Sequence, residues 1–70
     1  MTLAENLWFS RGERSQAEVA RAWAASTGRS VAACQVTLSR YETGEADDPK
    51  LSTLRELARV LGVSVSDLVK

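Results

Sequence analysis

Histidine is absent from this 70-residue chain, and cysteine occurs once, as Cys34. One cysteine forms no internal disulfide, and a zinc site wants several Cys or His ligands. No metal and no cofactor is therefore expected, and a lone thiol fits a reducing compartment. Long apolar runs are missing as well: the longest are a few residues, far short of a membrane span. The opening Met1-Thr2-Leu3-Ala4-Glu5 has no basic stretch followed by an apolar run, so no signal peptide is expected. These absences point to a soluble, cytoplasmic protein without a membrane partner. Excess charge of either sign is also lacking, since nine Lys+Arg balance nine Asp+Glu. That balance counts against strong non-specific attraction to nucleic acid, which grows with the phosphates neutralised. Enzyme chemistry finds no foothold either. The carboxylates are scattered, no glycine-rich phosphate loop is present, and no nucleophile stands beside a base.

A chain this short makes one domain, residues 1–70, with a thin core and a narrow stability margin. Such domains often gain stability by dimerising. The charge is unevenly placed. Through Tyr41 the bases are Arg11, Arg14, Arg21, Arg29 and Arg40, and the acids are Glu5, Glu13 and Glu18, a balance of +2. Glu42, Glu45, Asp47 and Asp48 then follow without a base, a balance of −4. The first stretch can face phosphate; the acidic loop is a poor candidate and reads most simply as solvated surface.

Five helical segments can be read, at about 3–11, 16–27, 31–43, 53–61 and 65–69, and no strand. Leu3, Leu7 and Trp8 give the first helix an apolar side, and Gly12 ends it. Ser15 and Glu18 form a capping-box pattern at the start of the second. Val19, Ala20 and Trp23 form its apolar face, and Gly28 stops it. Ser30 caps the third, whose Val31, Cys34, Leu38 and Tyr41 fall on one face before Gly44. The fourth opens at Ser52, with Leu54, Leu57, Ala58 and Leu61 as the cleanest amphipathic stripe in the chain. In the short fifth helix Ser64 and Asp67 make another box, and Val65, Leu68 and Val69 form the apolar face. Trp8 and Trp23 are expected in the core, where a small bundle needs bulky anchors. Cys34 is expected to be a small buried residue. Val63, Leu68 and Val69 are divided between core and a dimer seam.

Two helices joined by a tight turn and braced by two more make a helix-turn-helix arrangement. One helix enters the major groove; the preceding one crosses the backbone and anchors by its N-terminus, where N–H groups and dipole favour phosphate. Gln16 stands at such an N-terminus. Gln35, Thr37, Ser39 and Arg40 lie on the third helix, off its apolar face.

The string Cys34-Gln35-Val36-Thr37-Leu38-Ser39-Arg40-Tyr41-Glu42-Thr43-Gly44 resembles the recognition helix of the Cro/phage-repressor-like (XRE) family. Ser15-Gln16-Ala17-Glu18-Val19-Ala20 resembles that family's second-helix opening. The stretch from Leu54 to Ser64 resembles its fourth helix and the turn into the fifth. The resemblance implies an all-α, five-helix, lambda-repressor-like bundle that binds DNA. It implies that Gln16 meets phosphate and braces the recognition helix, with Ser15 beside it among the DNA-binding residues, and that Gln35 reads a base edge, as an amide can pair with adenine. It places Val36 at a base-reading position, where it touches only a thymine methyl. Ser39 and Arg40 would contact bases or phosphate, with Thr37 on the same polar edge. Leu38 and Tyr41 would be core, and Glu42 and Gly44 would shape the exit turn.

Two departures stand out. Gln16 and Tyr41 are 25 positions apart. That is about eight more than the family's usual spacing, close to two helical turns at 3.6 residues each. One reading lengthens both helices by a turn, with Gly28-Arg29-Ser30 between them, so that Arg29, Ser30, Ala32 and Ala33 project beyond the usual tip and Val31 continues the apolar stripe. The other makes residues 26–33 a flexible loop. Second, the acidic run after the third helix would repel phosphate, so that loop stays off DNA, or affinity is modest, or the fold serves another partner. The expected function is a sequence-specific repressor or autoregulator. It would bind an inverted-repeat operator in double-stranded DNA as a homodimer. An antitoxin with a toxin partner, and a protein-binding module without DNA affinity, are the alternatives.

Overall fold

The computed structural model describes residues 2–46 and 48–70 and contains five α-helices: α1 (Leu3–Arg11), α2 (Gln16–Thr27), α3 (Val31–Glu42), α4 (Leu51–Leu61) and α5 (Val65–Val69). No strand occurs among the described residues. The part of the acidic run at Asp47 lies outside them.

Local chemistry sets the helix ends. Thr2 and Glu5 form a reciprocal capping box on α1, and Ser64 and Asp67 form another on α5. On α2 the box is half made. The Glu18 N–H donates to the Ser15 hydroxyl at 3.1 Å, but that hydroxyl, and not the Ser15 backbone, reaches back to the Glu18 carboxylate. Ser30 caps α3 by accepting from the Ala33 N–H at 3.1 Å. Gly28 closes α2 at φ +77°, donating its N–H to the Ala24 carbonyl at 2.8 Å. The turn Gly28-Arg29-Ser30 therefore joins two long helices, and the loop reading of residues 26–33 is excluded. α4 starts at Leu51, two residues before the expected position, with the Lys50 backbone as its cap and no side-chain cap bond. Ser52 signals nothing there: the extended chain leaving Pro49 turns at Lys50, whose carbonyl accepts from the Leu54 N–H at 3.0 Å. The end of α3 falls one residue before the expected boundary, within ordinary fraying.

One core unites the helices. Leu7, Val19, Trp23, Cys34, Leu38, Leu57 and Leu68 are buried almost completely, and Leu3, Tyr41 and Val65 pack partly against them. Each such leucine or valine contributes roughly 1.5–3 kcal/mol through its apolar area. The α4 stripe predicted from periodicity is buried as a unit: Leu54, Leu57, Ala58 and Leu61.

Three apolar side chains depart from the expected core. Trp8 is 58% exposed, because it stands 100° around α1 from Leu7, and the inward side is taken by Leu3, Asn6 and Leu7. Asn6 earns its buried place by donating to the carbonyls of Leu68 and Lys70 at 3.0 and 3.1 Å, which ties α1 to the end of α5. Val31 is 42% exposed, so the lengthened α3 carries its first turn past the edge of the core. Val69 is exposed while Leu68 takes the single buried position of α5.

Candidate nucleic-acid interface

α2 and α3 form the most extensively packed helix pair, with Trp23 and Ala20 of α2 against Cys34 and Leu38 of α3 inside the core. The opposite side of α3 is open. Gln16 from the first position of α2 joins Ala32, Gln35, Val36, Ser39 and Arg40 of α3 along one open groove that Glu45 also lines. Helical phase explains the set: 35, 36, 39 and 40 turn away from the buried 34, 38 and half-buried 41. Ser15 lies beside Gln16, its hydroxyl engaged as the α2 cap. The α2 N-terminus thus opens beside the exposed flank of α3, where N–H groups and dipole favour an anion.

Thr37 and Arg29 are elsewhere. Thr37 lines the other flank of α3, in a small cleft with Trp23, Arg29, Ala33, Cys34 and Thr53. Arg29 does not project at the tip as expected. Its Nε and Nη2 donate to the Glu56 carboxylate at 3.0 and 3.3 Å, and its guanidinium lies 5.8 Å from the centre of the Trp23 ring. The Trp23 indole N–H donates to the same Glu56 at 2.8 Å. Glu56 is held below the usual glutamate range first by the Arg29 hydrogen bond and then by Trp23, while Arg29 is raised by Glu56. This Trp23–Glu56–Arg29 cluster clamps the α2–α3 turn to α4. Ser30, the other expected tip residue, is exposed and serves as the α3 cap.

The basic balance of the N-terminal stretch does not survive folding. Arg11 donates through Nε and Nη2 to Glu42 Oε1 at 3.2 and 2.9 Å and through Nη1 to the Arg14 carbonyl at 2.9 Å. Arg14 in turn donates to the carbonyls of Ser10 and Arg11 in α1 and of Val60 and Leu61 in α4, at 3.0–3.4 Å. It satisfies the C-terminal ends of two helices at once. Of the five arginines before Tyr41, only Arg21 and Arg40 form neither an ion pair nor a carbonyl cap among the described residues. Arg40 is the one that lines the groove. Glu45 sits there as well, brought back by the hydrogen bond from the Ala46 N–H to the Arg40 carbonyl at 3.2 Å. The start of the acidic loop, at Glu45, therefore borders this groove.

Glu42, expected to shape the exit turn, has a larger part. Its side chain is 5% exposed, pairs with Arg11, and leaves Oε2 buried without a partner. This pair locks α1 to the end of α3. Sequence reading missed it because its members are 31 positions apart and neither carries a local signal.

Among the described residues no cluster of His, Cys, Asp and Glu is placed to hold a metal ion, and no helix is long and apolar enough to cross a membrane. No curated protein and no solved structure gives a significant match to the chain. Residues 35–68, close to half of the chain, match the family model HTH_3, described as helix-turn-helix. The match begins one turn into α3, beyond the stretch where α2 and α3 are longer than the family spacing, and runs through α4 to Leu68. An all-helical bundle with α2 and α3 packed across a three-residue turn, together with that match, supports a Cro/repressor-like (XRE-family) helix-turn-helix protein, at the family level a DNA-binding regulator.

Proposed function

We propose that the 70 residues act as one DNA-binding domain of a cytoplasmic transcriptional repressor or autoregulator that inserts α3 into the major groove of its operator. One observation carries the reading: Gln16, Gln35, Val36, Ser39 and Arg40, drawn from two helices, line a single open groove on the side of α3 that faces away from the core. Gln35 is the candidate base reader, since its amide matches adenine N6 and N7. Ser15 and Gln16 hold a phosphate at the α2 N-terminus, and Ser39 and Arg40 serve the backbone or a base edge. Thr37, on the other flank of α3, and Ser30, at its N-cap, are further candidate contacts outside this groove. Arg29 acts from behind, by fixing the turn that aims α3. Two copies on an inverted repeat would place their α3 helices about 34–36 Å apart.

With Arg40 as the single arginine lining the groove among the described residues, and Glu45 lining it as well, the electrostatic share of binding is small, and base contacts carry more of the specificity. Selection of bound sites from random duplexes, followed by a salt titration of the enriched site, tests the function. An enriched inverted repeat is expected, bound with a shallow but measurable salt slope of roughly 0.9 per phosphate neutralised. Gln35→Ala and Arg40→Ala should each weaken specific binding by about 1–3 kcal/mol where the contact is bidentate. No enrichment and no salt-dependent retention would refute the proposal.

A second reading, an antitoxin holding a toxin on another surface, draws support from α1. Trp8 and Phe9 are 58% and 62% exposed, stacked edge to face at 5.3 Å, an aromatic pair of the kind enriched at protein interfaces. Co-purification with a small protein encoded alongside would favour it.

A further inference from the structure

Val36 is 53% exposed in the middle of the groove-lining side of α3. Ala32, one turn earlier on the same line, lines the groove too, and Ala33 beside it is exposed. From Val31 to Val36 the side chains are Val, Ala, Ala, Cys, Gln and Val, so Gln35 is the only strong hydrogen-bonding group of the first turn and a half. It lines the same groove as Gln16. The part of α3 that would reach deepest thus offers base edges an aliphatic surface with one amide at its side. Independently of this surface, the helix-turn-helix family match begins at Gln35 and takes in Val36.

The major-groove edge of a base pair has one apolar feature, the C5 methyl of thymine; guanine shows two acceptors and cytosine an amino donor. An aliphatic side chain pressed on a thymine methyl removes apolar area from water on both partners. The same side chain pressed on a G·C edge strips water from polar groups and returns no hydrogen bond, a cost of about tenfold or more in affinity. We infer that α3 selects thymine by its methyl group, with Val36 and Ala32 seated on T·A pairs and Gln35 reading an adjacent adenine. This rests on α3 being the recognition helix and adds the class of half-site it reads. The aliphatic surface acts as contact and as filter together, which suits a groove with little charge.

Uracil provides the probe, because it lacks only the methyl and keeps every hydrogen-bonding atom of thymine. Binding of the full chain to its selected site is measured by fluorescence anisotropy, with each thymine of a half-site replaced by uracil in turn. At one or two positions the affinity should fall about fourfold, the equivalent of about 0.8 kcal/mol for one buried methyl-sized group. In Val36→Ala, an exposed-site change that keeps the fold, uracil at the Val36 position should cost less than twofold, and uracil elsewhere should cost what it did before. Circular dichroism confirms that the variant is folded. Salt-dependent binding that ignores uracil at every position, or a selected half-site without T·A pairs, overturns the thymine selection and leaves α3 as a DNA reader. Absence of salt-dependent binding to any duplex overturns that reading and this inference with it.

Discussion

Replacing Arg11 with methionine probes the joint between α1 and the end of α3. In the parent chain three guanidinium hydrogen bonds are made, two to Glu42 and one to the Arg14 carbonyl, at 2.9–3.2 Å. The Glu42 side chain is only 5% exposed and its Oε2 already lacks a partner. Methionine keeps the aliphatic stem and removes the charge, so Glu42 is left as a buried carboxylate with nothing to balance it. Breaking one partner of a buried pair costs about 3–5 kcal/mol. Arg11 keeps 17% of its side chain exposed, so the lower end of that range is expected. A domain of this length holds only roughly 3.5–10 kcal/mol in total, at about 0.05–0.15 kcal/mol per residue. The melting temperature should drop by at least about 12 °C, taking about 4 °C per kcal/mol as the low conversion for a small domain. Thermal and urea unfolding followed by helical circular dichroism measure the loss. The double variant Arg11→Met/Glu42→Leu should recover most of it, since two apolar groups of similar volume need no partner. A single variant within about 1 kcal/mol of the parent, or a double variant no better than the single, would refute the view that Glu42 is a dry, dependent charge.

Three further outcomes are expected. Glu56 has its folded-state pKa lowered by Arg29 and Trp23, so its contribution is present above the unfolded glutamate range and is lost as pH falls through the lowered folded value. Glu56→Gln should therefore unfold in acid with a shallower pH dependence than the parent, and equal slopes would exclude this linkage. Gly28→Ala should destabilise by about 1–2 kcal/mol in chemical denaturation, because φ is +77° while no atom lies within 4 Å of the added carbon; the cost is one of backbone conformation alone. Cys34 is buried, and burial pushes its thiol up from the ordinary range, so a thiol reagent should label it only as fast as the chain opens. Labelling at the rate of a free thiol would contradict that packing.

Periodicity and end signals along the chain were enough to place α2, α3 and α5, because each carries a serine cap and an apolar stripe within its own few residues. The lengthening of α2 and α3 was legible for the same reason: helical phase from Cys34 to Leu38 and Tyr41, and Gly28 with its left-handed preference, are local properties. The groove residues Gln16, Gln35, Val36, Ser39 and Arg40 follow from that phase, since a residue opposite a buried stripe faces outward.

Tertiary packing decided which charges stay available and which aromatic goes inside. Arg11, Arg14 and Arg29 read in sequence as a basic stretch, yet folding commits them to Glu42, to helix-end carbonyls and to Glu56, over separations of up to 47 positions. Trp8 and Trp23 are alike in sequence terms. Trp23 is buried because α3 and α4 converge on it, whereas α1 turns Asn6 inward to meet Leu68 and leaves Trp8 outside. Helix phase is dictated by neighbours within a turn. The fate of a long charged or aromatic side chain depends on which distant backbone carbonyl or carboxylate arrives beside it, and only the assembled bundle decides that.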